Sequence, residues 1–363
     1  MVDQKALRIK KNGVGWKITN IVSKLSLFFA SLYLFILAIN LMKEGAGGLA
    51  PLMDGYLSID SPANSLGFGW VFAYLIMSGS PVAASALAFL NNGTIDQVNA
   101  FSMITGSRLG ASFIVILIGI IYILRGRDRA ASLSMGMLSF LVTLTTYIPS
   151  FFIGLYLIRW GVLDSFSLNS GQNIQSVFER FINPIVDIIS NAFVEWAVFL
   201  IGLGIIMVSF SLFDRCLPQM ALKESQFGRV SRLVYHPLVM FTLGAGITLL
   251  SMSVSLSLSI LIPLSNRGFI RRENVIPYIM GANITTFIDT LLAAALLDLP
   301  SAFTIVLVCM VSISIVSIMI MVSINRFYQA SLLSLVNWIT SNKRNYVVIL
   351  VIIILVPIIL LFL

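Results

Sequence analysis

An all-α polytopic membrane protein of two inverted-topology repeats, each with a re-entrant helical hairpin and a broken transmembrane helix, is the fold class that three observations predict. Hydrophobic residues make up 58% of the chain and charged residues 10%, whereas about a quarter of an ordinary soluble domain is charged. Apolar runs recur at the length that a ~30 Å hydrocarbon core demands of a helix. Local patterns of the first half return 175 positions later, the separation of Gly106 and Gly281.

The runs Leu25 to Met42, Leu133 to Ile158, Phe193 to Leu212, Ala302 to Val322 and Val347 to Leu363 each match one bilayer crossing. Segment 1–24 carries Lys5, Arg8, Lys10, Lys11, Lys17 and Lys24, with Trp16 among them. The apolar stretch after it is too long for a signal-peptide core and lacks a small-residue cleavage site, so this basic terminus is expected to be retained at the membrane surface.

Basic residues orient such a chain, because Lys and Arg accumulate on the cytoplasmic side. A cytoplasmic N-terminus leaves acidic Asp54 and Asp60 outside and Arg125, Arg127 and Arg129 inside. Arg215, Lys223, Arg229, Arg232, Arg267, Arg271 and Arg272 then fall inside, as do Arg326, Lys343 and Arg344, and the C-terminus lies outside. The net charge of +8 is thereby absorbed by topology and membrane lipids, and no nucleic-acid partner is expected. The scheme is that of a multi-pass protein of the inner cell membrane.

This topology requires 66–90 and 235–264 to enter and leave on one side. Each is interrupted midway, by Ser78-Gly79-Ser80-Pro81 and by Ser251-Met252-Ser253, where Gly, Pro and backbone-competing hydroxyls weaken a helix. Such breaks are tolerated at membrane depth only where they face protein or a wet cavity. The chain thus divides into a basic terminus (1–24), a first repeat (25–157, hairpin 66–90, broken helix 97–124) and an external loop (158–191). A second repeat follows (192–324, hairpin 235–264, broken helix 274–297), then a linker and final transmembrane helix (325–363). Trp160, Phe166, Phe178 and Phe181 in the external loop suit either the membrane interface or a second copy of the chain in a homodimer.

The repeat is explicit in the residues. Gly69 falls on Gly244, Met77-Ser78-Gly79-Ser80 on Met252-Ser253-Val254-Ser255, Asn91-Asn92-Gly93 on Asn266-Arg267-Gly268, and Gly106-Ser107-Arg108 on Gly281-Ala282-Asn283. Three crossings separate the starts of the halves, and an odd number inverts orientation. Inverted repeats with interrupted segments at matching positions mark secondary transporters, whose substrate sits near the midplane where the breaks converge.

At these residues the sequence resembles the type II sodium/phosphate cotransporter family, in which each repeat has Q-S-S-S at a hairpin tip followed by a G-A-N-I-G-T-T stretch. The glycines Gly106 and Gly281 keep the family's distance from Met77 and Met252, and Leu34 to Gly47 and Gly202 to Leu217 resemble its helix entries. The likeness covers roughly residues 25 to 325. Met replaces Gln in both tips, which removes two amide groups from the tips; Arg108 stands where the family has Asn, and Thr285-Thr286-Phe287 follows Ile284, so the halves are chemically unequal.

Arg108 is the sharpest signal, since a cation within the membrane costs at least ~2.5 kcal/mol on insertion scales and needs a partner, cavity or substrate. It is either a bidentate anion clamp or one half of a static pair with Asp289. The substrate-binding candidates are Ser78, Gly79, Ser80, Arg108, Ser253, Val254 and Ser255. The ion-binding candidates are Asn283, Thr285, Thr286 and Asp289, oxygen ligands suited to sodium as the coupling ion. The resulting expectation is a sodium-coupled secondary transporter of phosphate or another small anion, working by alternating access.

Two alternatives stay open: a proton-coupled anion exporter using Asp289, and a membrane sensor or scaffold that has lost transport, supported by the missing glutamines. No enzymatic activity is expected, because no nucleophile–base pair or metal constellation accompanies the serines. Glu195 beside Trp196 and the single His236 beside Pro237 read as interfacial side chains. Cys216 and Cys309 alone build neither a disulfide framework nor a metal site, and no cofactor other than the coupling ion is implied.

Overall fold

The computed structural model describes residues 3–56, 59–124, 129–163, 172–216, 236–254, 257–258, 272–297 and 300–363. These residues form an all-α membrane-embedded protein. Among them, seven helices are long and apolar enough to cross a bilayer, the number of crossings that the five apolar runs and two broken spans require.

Helix α1 (Asp3–Gly45) continues into a 3-10 turn at Ala46–Leu49. A short pair follows, α2 (Pro62–Ile76) and α3 (Ser80–Asn92). The start of α2 is fixed by a capping box, in which the Asn64 amide donates to Ser61 Oγ and the Ser61 amide donates to Asn64 Oδ1, with Pro62 occupying the first helical position. Met77 ends α2 in the left-handed region, φ 58°, and Gly93 ends α3 at φ 79°. The long helices α4 (Gln97–Leu124) and α5 (Arg129–Arg159) complete the first half.

The second half begins with α6 (Gln172–Ala192) and α7 (Glu195–Cys216), then α8 (Pro237–Ser251), which ends on left-handed Met252, φ 49°. Helices α9 (Arg272–Thr285) and α10 (Ile288–Leu296) are separated by Thr286 and Phe287. Helix α11 (Pro300–Met319) runs through a π turn at Ile320–Ile324 into α12 (Asn325–Ser341), and α13 (Lys343–Leu361) closes the chain.

Small residues let backbones cross closely, as in other membrane bundles. A Cβ at Gly69 would lie 2.1 Å from the Met103 carbonyl oxygen, and one at Gly106 2.0 Å from that of Leu66, so α2 and α4 touch backbone to backbone. Helices α8 and α9 do the same: a Cβ at Gly244 would lie 2.0 Å from Tyr278 O and one at Gly281 2.0 Å from Phe241 O. Helix α1 and the 3-10 turn after it pack on α7 through Gly45, Gly48 and Gly202, and the Ser209 hydroxyl donates to Ser31 O at 2.7 Å. The closing helix α13 lies on α2, where Trp70 Nε1 donates to Tyr74 Oη at 2.7 Å and that hydroxyl donates to Ile353 O at 3.0 Å.

Two expectations need correction or narrowing, those for 97–124 and for the external loop. Segment 97–124 is one unbroken helix: Ser107 and Ser112 turn their hydroxyls onto Ile104 O and Leu109 O of the preceding turn, and Gly106 serves close packing instead of a break. Segment 274–297 is interrupted at Thr286 and Phe287, and just beyond the interruption the Thr290 amide donates to the Asp289 carboxylate. The segment expected as an external loop contains α6, whose Ile182 and Val186 are buried against Ile36, Leu37 and Leu41 of α1 and Val198 of α7, with Phe181 and Ile188 exposed. Of the return arm of the second hairpin only 257–258 are described; Ser255 and the basic residues Arg125, Arg127, Lys223, Arg229, Arg232, Arg267 and Arg271 lie outside the described residues, as does Phe166.

Candidate functional site

The site is organised by one guanidinium. Arg108 is carried to the middle of the bundle by α4 and is 5% exposed; Asp289, in the first turn of α10, is 1% exposed. Their Nη2 and Oδ1 atoms are 3.0 Å apart, the single ion pair among the described residues. Arg108 Nη2 also donates to Thr290 Oγ1, which in turn donates to Asp289 Oδ1 at 2.9 Å. Nη1 points to Ser80 Oγ at 3.2 Å and Thr286 Oγ1 at 3.4 Å, and the guanidinium carbon sits 4.9 Å from the Phe287 ring centroid, a cation–π distance. Two segments far apart in sequence therefore close on Arg108 of α4: the start of α3, and the α9–α10 break with the first turn of α10.

The pair is only half saturated. Arg108 Nε and Asp289 Oδ2 are buried without a hydrogen-bond partner, where an unmet polar group ordinarily costs about 1–3 kcal/mol.

Beside the pair lies a cavity of about 260 Å³. One wall is the α2–α3 turn, Met77 to Ser80, and another is the corresponding turn after α8, Met252 to Val254. Arg108, Ser112, Thr143, Tyr147, Asn283, Thr286 and Asp214 add its polar lining. On the sequence-predicted residues the outcome is mixed. Ser78, Gly79, Ser80, Arg108, Ser253 and Val254 share this cavity.

The four predicted ion ligands do not all gather about one point, although Asn283 and Thr286 share the cavity. Asn283 Nδ2 donates to Thr143 Oγ1 at 3.2 Å, and its carbonyl accepts from Tyr147 Oη at 2.9 Å. Thr285 donates to Ala245 O at 2.9 Å, towards α8. Thr286 and Asp289 flank Arg108. His236 is exposed at the start of α8, and Glu195 is exposed at the start of α7.

Sequence reasoning missed Thr143, Tyr147, Asp214, Phe287 and Thr290, and did not count Met77 and Met252 as lining. Thr290 adjoins Asp289 and was within reach of a closer reading. Thr143 and Tyr147 sit one turn apart on α5, and nothing in their local sequence ties them to Asn283. The Arg108–Asp289 pairing was legible, because an intramembrane cation demands a counter-charge.

Among known protein families, curated proteins and solved structures, none matches this chain.

Proposed function

We propose that this chain is a secondary active transporter of a small anion, coupled to sodium, in which two inverted repeats move against one another. The observation that carries the reading is the meeting of two left-handed helix ends, Met77 and Met252, at one cavity that also holds the buried guanidinium of Arg108. Helices α2 and α3, of 15 and 13 residues, each reach only ~20 Å at 1.5 Å per residue, short of a ~30 Å core. They suit a hairpin that enters and returns. The glycine contacts of α2 on α4 and of α8 on α9 use positions related by one offset, Gly69 with Gly244 and Gly106 with Gly281, which supports the two-repeat reading.

In this proposal the anion is held by Arg108 with Ser78, Gly79 and Ser80 of one tip and Ser253, Val254 and Ser255 of the other. Asp289, through its open Oδ2, serves sodium together with Thr286, Asn283 and Thr285, the last two released from their present bonds as the repeats move. The resemblance to sodium/phosphate cotransporters points the same way, as does the cytoplasmic N-terminus, external C-terminus and inner-membrane residence that the charge pattern implies.

The test is uptake into proteoliposomes. A sodium gradient should drive accumulation of at least one labelled anion, and Arg108→Ala should abolish it. If no gradient of sodium or protons moves any anion, the chain is a membrane scaffold or sensor instead.

A further inference from the structure

The chemistry of the cavity wall narrows the substrate class, an inference that rests on the anion-transport reading. Its fixed charges do not suit a multiply charged ion. The guanidinium of Arg108 is already matched by Asp289 at 3.0 Å, and a second carboxylate, that of exposed Asp214, lines the same cavity. Among the described residues, one cation at this cavity is thus accompanied by two carboxylates, Asp289 paired with it and Asp214 on the wall. A divalent oxyanion entering here would give up its hydration for a site whose formal charge is not positive, which is costly.

Beside its hydroxyl-bearing side, the cavity has an apolar face. Met77, Met252, Val254, Ile114, Phe210 and Phe213 all face the cavity, and the two methionines stand at the tips themselves, where an inorganic oxyanion would need donors. Thioether and phenyl groups donate no hydrogen bonds to an oxyanion; they offer soft, adaptable contact to hydrocarbon. The charged point of capture is Arg108, with Ser80 and Thr286 beside it.

We infer that the site takes a monovalent organic anion with a short apolar group, such as a short-chain monocarboxylate, in preference to phosphate or sulfate. The carboxylate meets the Arg108 side and the alkyl group lies against Met77, Met252 and the two phenylalanines. Asp214 acts as a charge filter against divalent anions.

The experiment is calorimetric titration of the purified full-length protein with acetate, propionate, butyrate, phosphate and sulfate. Affinity should rise roughly fourfold with each methylene until the chain outgrows the cavity, and sulfate and phosphate should bind more weakly than butyrate. The double variant R108Q/D289N, which leaves no unpaired charge, should lose carboxylate binding, separating the site from partition into detergent. D214N should improve sulfate binding relative to butyrate.

Phosphate or sulfate binding at least as tightly as butyrate, or a flat chain-length series, overturns this inference and leaves the anion transporter standing. Failure of every anion to bind overturns both.

Discussion

Met77 and Met252, 175 positions apart, are the two non-glycine residues among those described whose backbone lies at positive φ, 58° and 49°. Each terminates a helix of 15 residues, and both face the same cavity. A side chain in the left-handed region costs roughly 1–2 kcal/mol, so the chain retains a strained residue at matching points of both halves, as functional turns commonly do.

That strain yields the first prediction. At either position Gly should be more stable than Ala by about 1 kcal/mol, the reverse of the order in a helix interior. The comparison of Met77→Gly with Met77→Ala, and of Met252→Gly with Met252→Ala, by thermal unfolding in detergent checks it. Equal stability of the two variants at both positions would show that the turns carry no backbone strain.

The Arg108–Asp289 pair predicts strong coupling. Removing one partner leaves a buried charge unmatched, so Arg108→Gln and Asp289→Asn should each destabilise by about 3–5 kcal/mol. The double variant should recover much of that loss, because replacing both charges removes the desolvation penalty together with the attraction. Unfolding free energies of the four proteins close the cycle, and additive losses would mean that the pair does not act as a unit.

Tyr147 tests the link between α5 and the broken span. Its hydroxyl donates to the Asn283 carbonyl at 2.9 Å, and the Asn283 side chain donates to Thr143 one turn earlier on α5. Hydrogen bonds between membrane helices average about 0.6 kcal/mol and reach about 1.7 kcal/mol. Tyr147→Phe should therefore cost no more than about 2 kcal/mol while loosening α9, seen as faster amide exchange around Asn283.

Much of the architecture was legible because the bilayer imposes a length on every span, and hydropathy reads length directly. The Gly69 and Gly106 correspondences were visible for the same kind of reason: only glycine permits backbone contact, so the requirement is written in the residue itself. The continuity of α4 was not legible, since Gly106 and Ser107 read equally well as a break or as a close crossing with back-bonded hydroxyls. The amphipathic helix α6 was hidden by its polar face, which resembles loop composition. Within the site, Arg108 and Asp289 announced themselves by charge, whereas Thr143, Tyr147 and Phe287 owe their places to tertiary packing alone.

The glycine crossings give the last prediction, in which position outweighs residue type. Gly106→Ala and Gly281→Ala would each bring a Cβ to 2.0 Å from a backbone carbonyl, where the flexible end of a side chain is not available to yield. Overpacking of that kind costs typically 1–3 kcal/mol, occasionally more, and the two variants should lose similar stability because α2 on α4 and α8 on α9 are built alike. Gly204 on α7 and Gly246 on α8 have nothing within 4 Å of the added atom, so their replacement by Ala should be neutral or stabilising, by up to about 1 kcal/mol in a helix interior. Melting temperatures of the four single variants decide the matter. If Gly106→Ala and Gly281→Ala melt with Gly204→Ala and Gly246→Ala, the close crossings, and with them the structural basis for treating the halves as repeats, are lost.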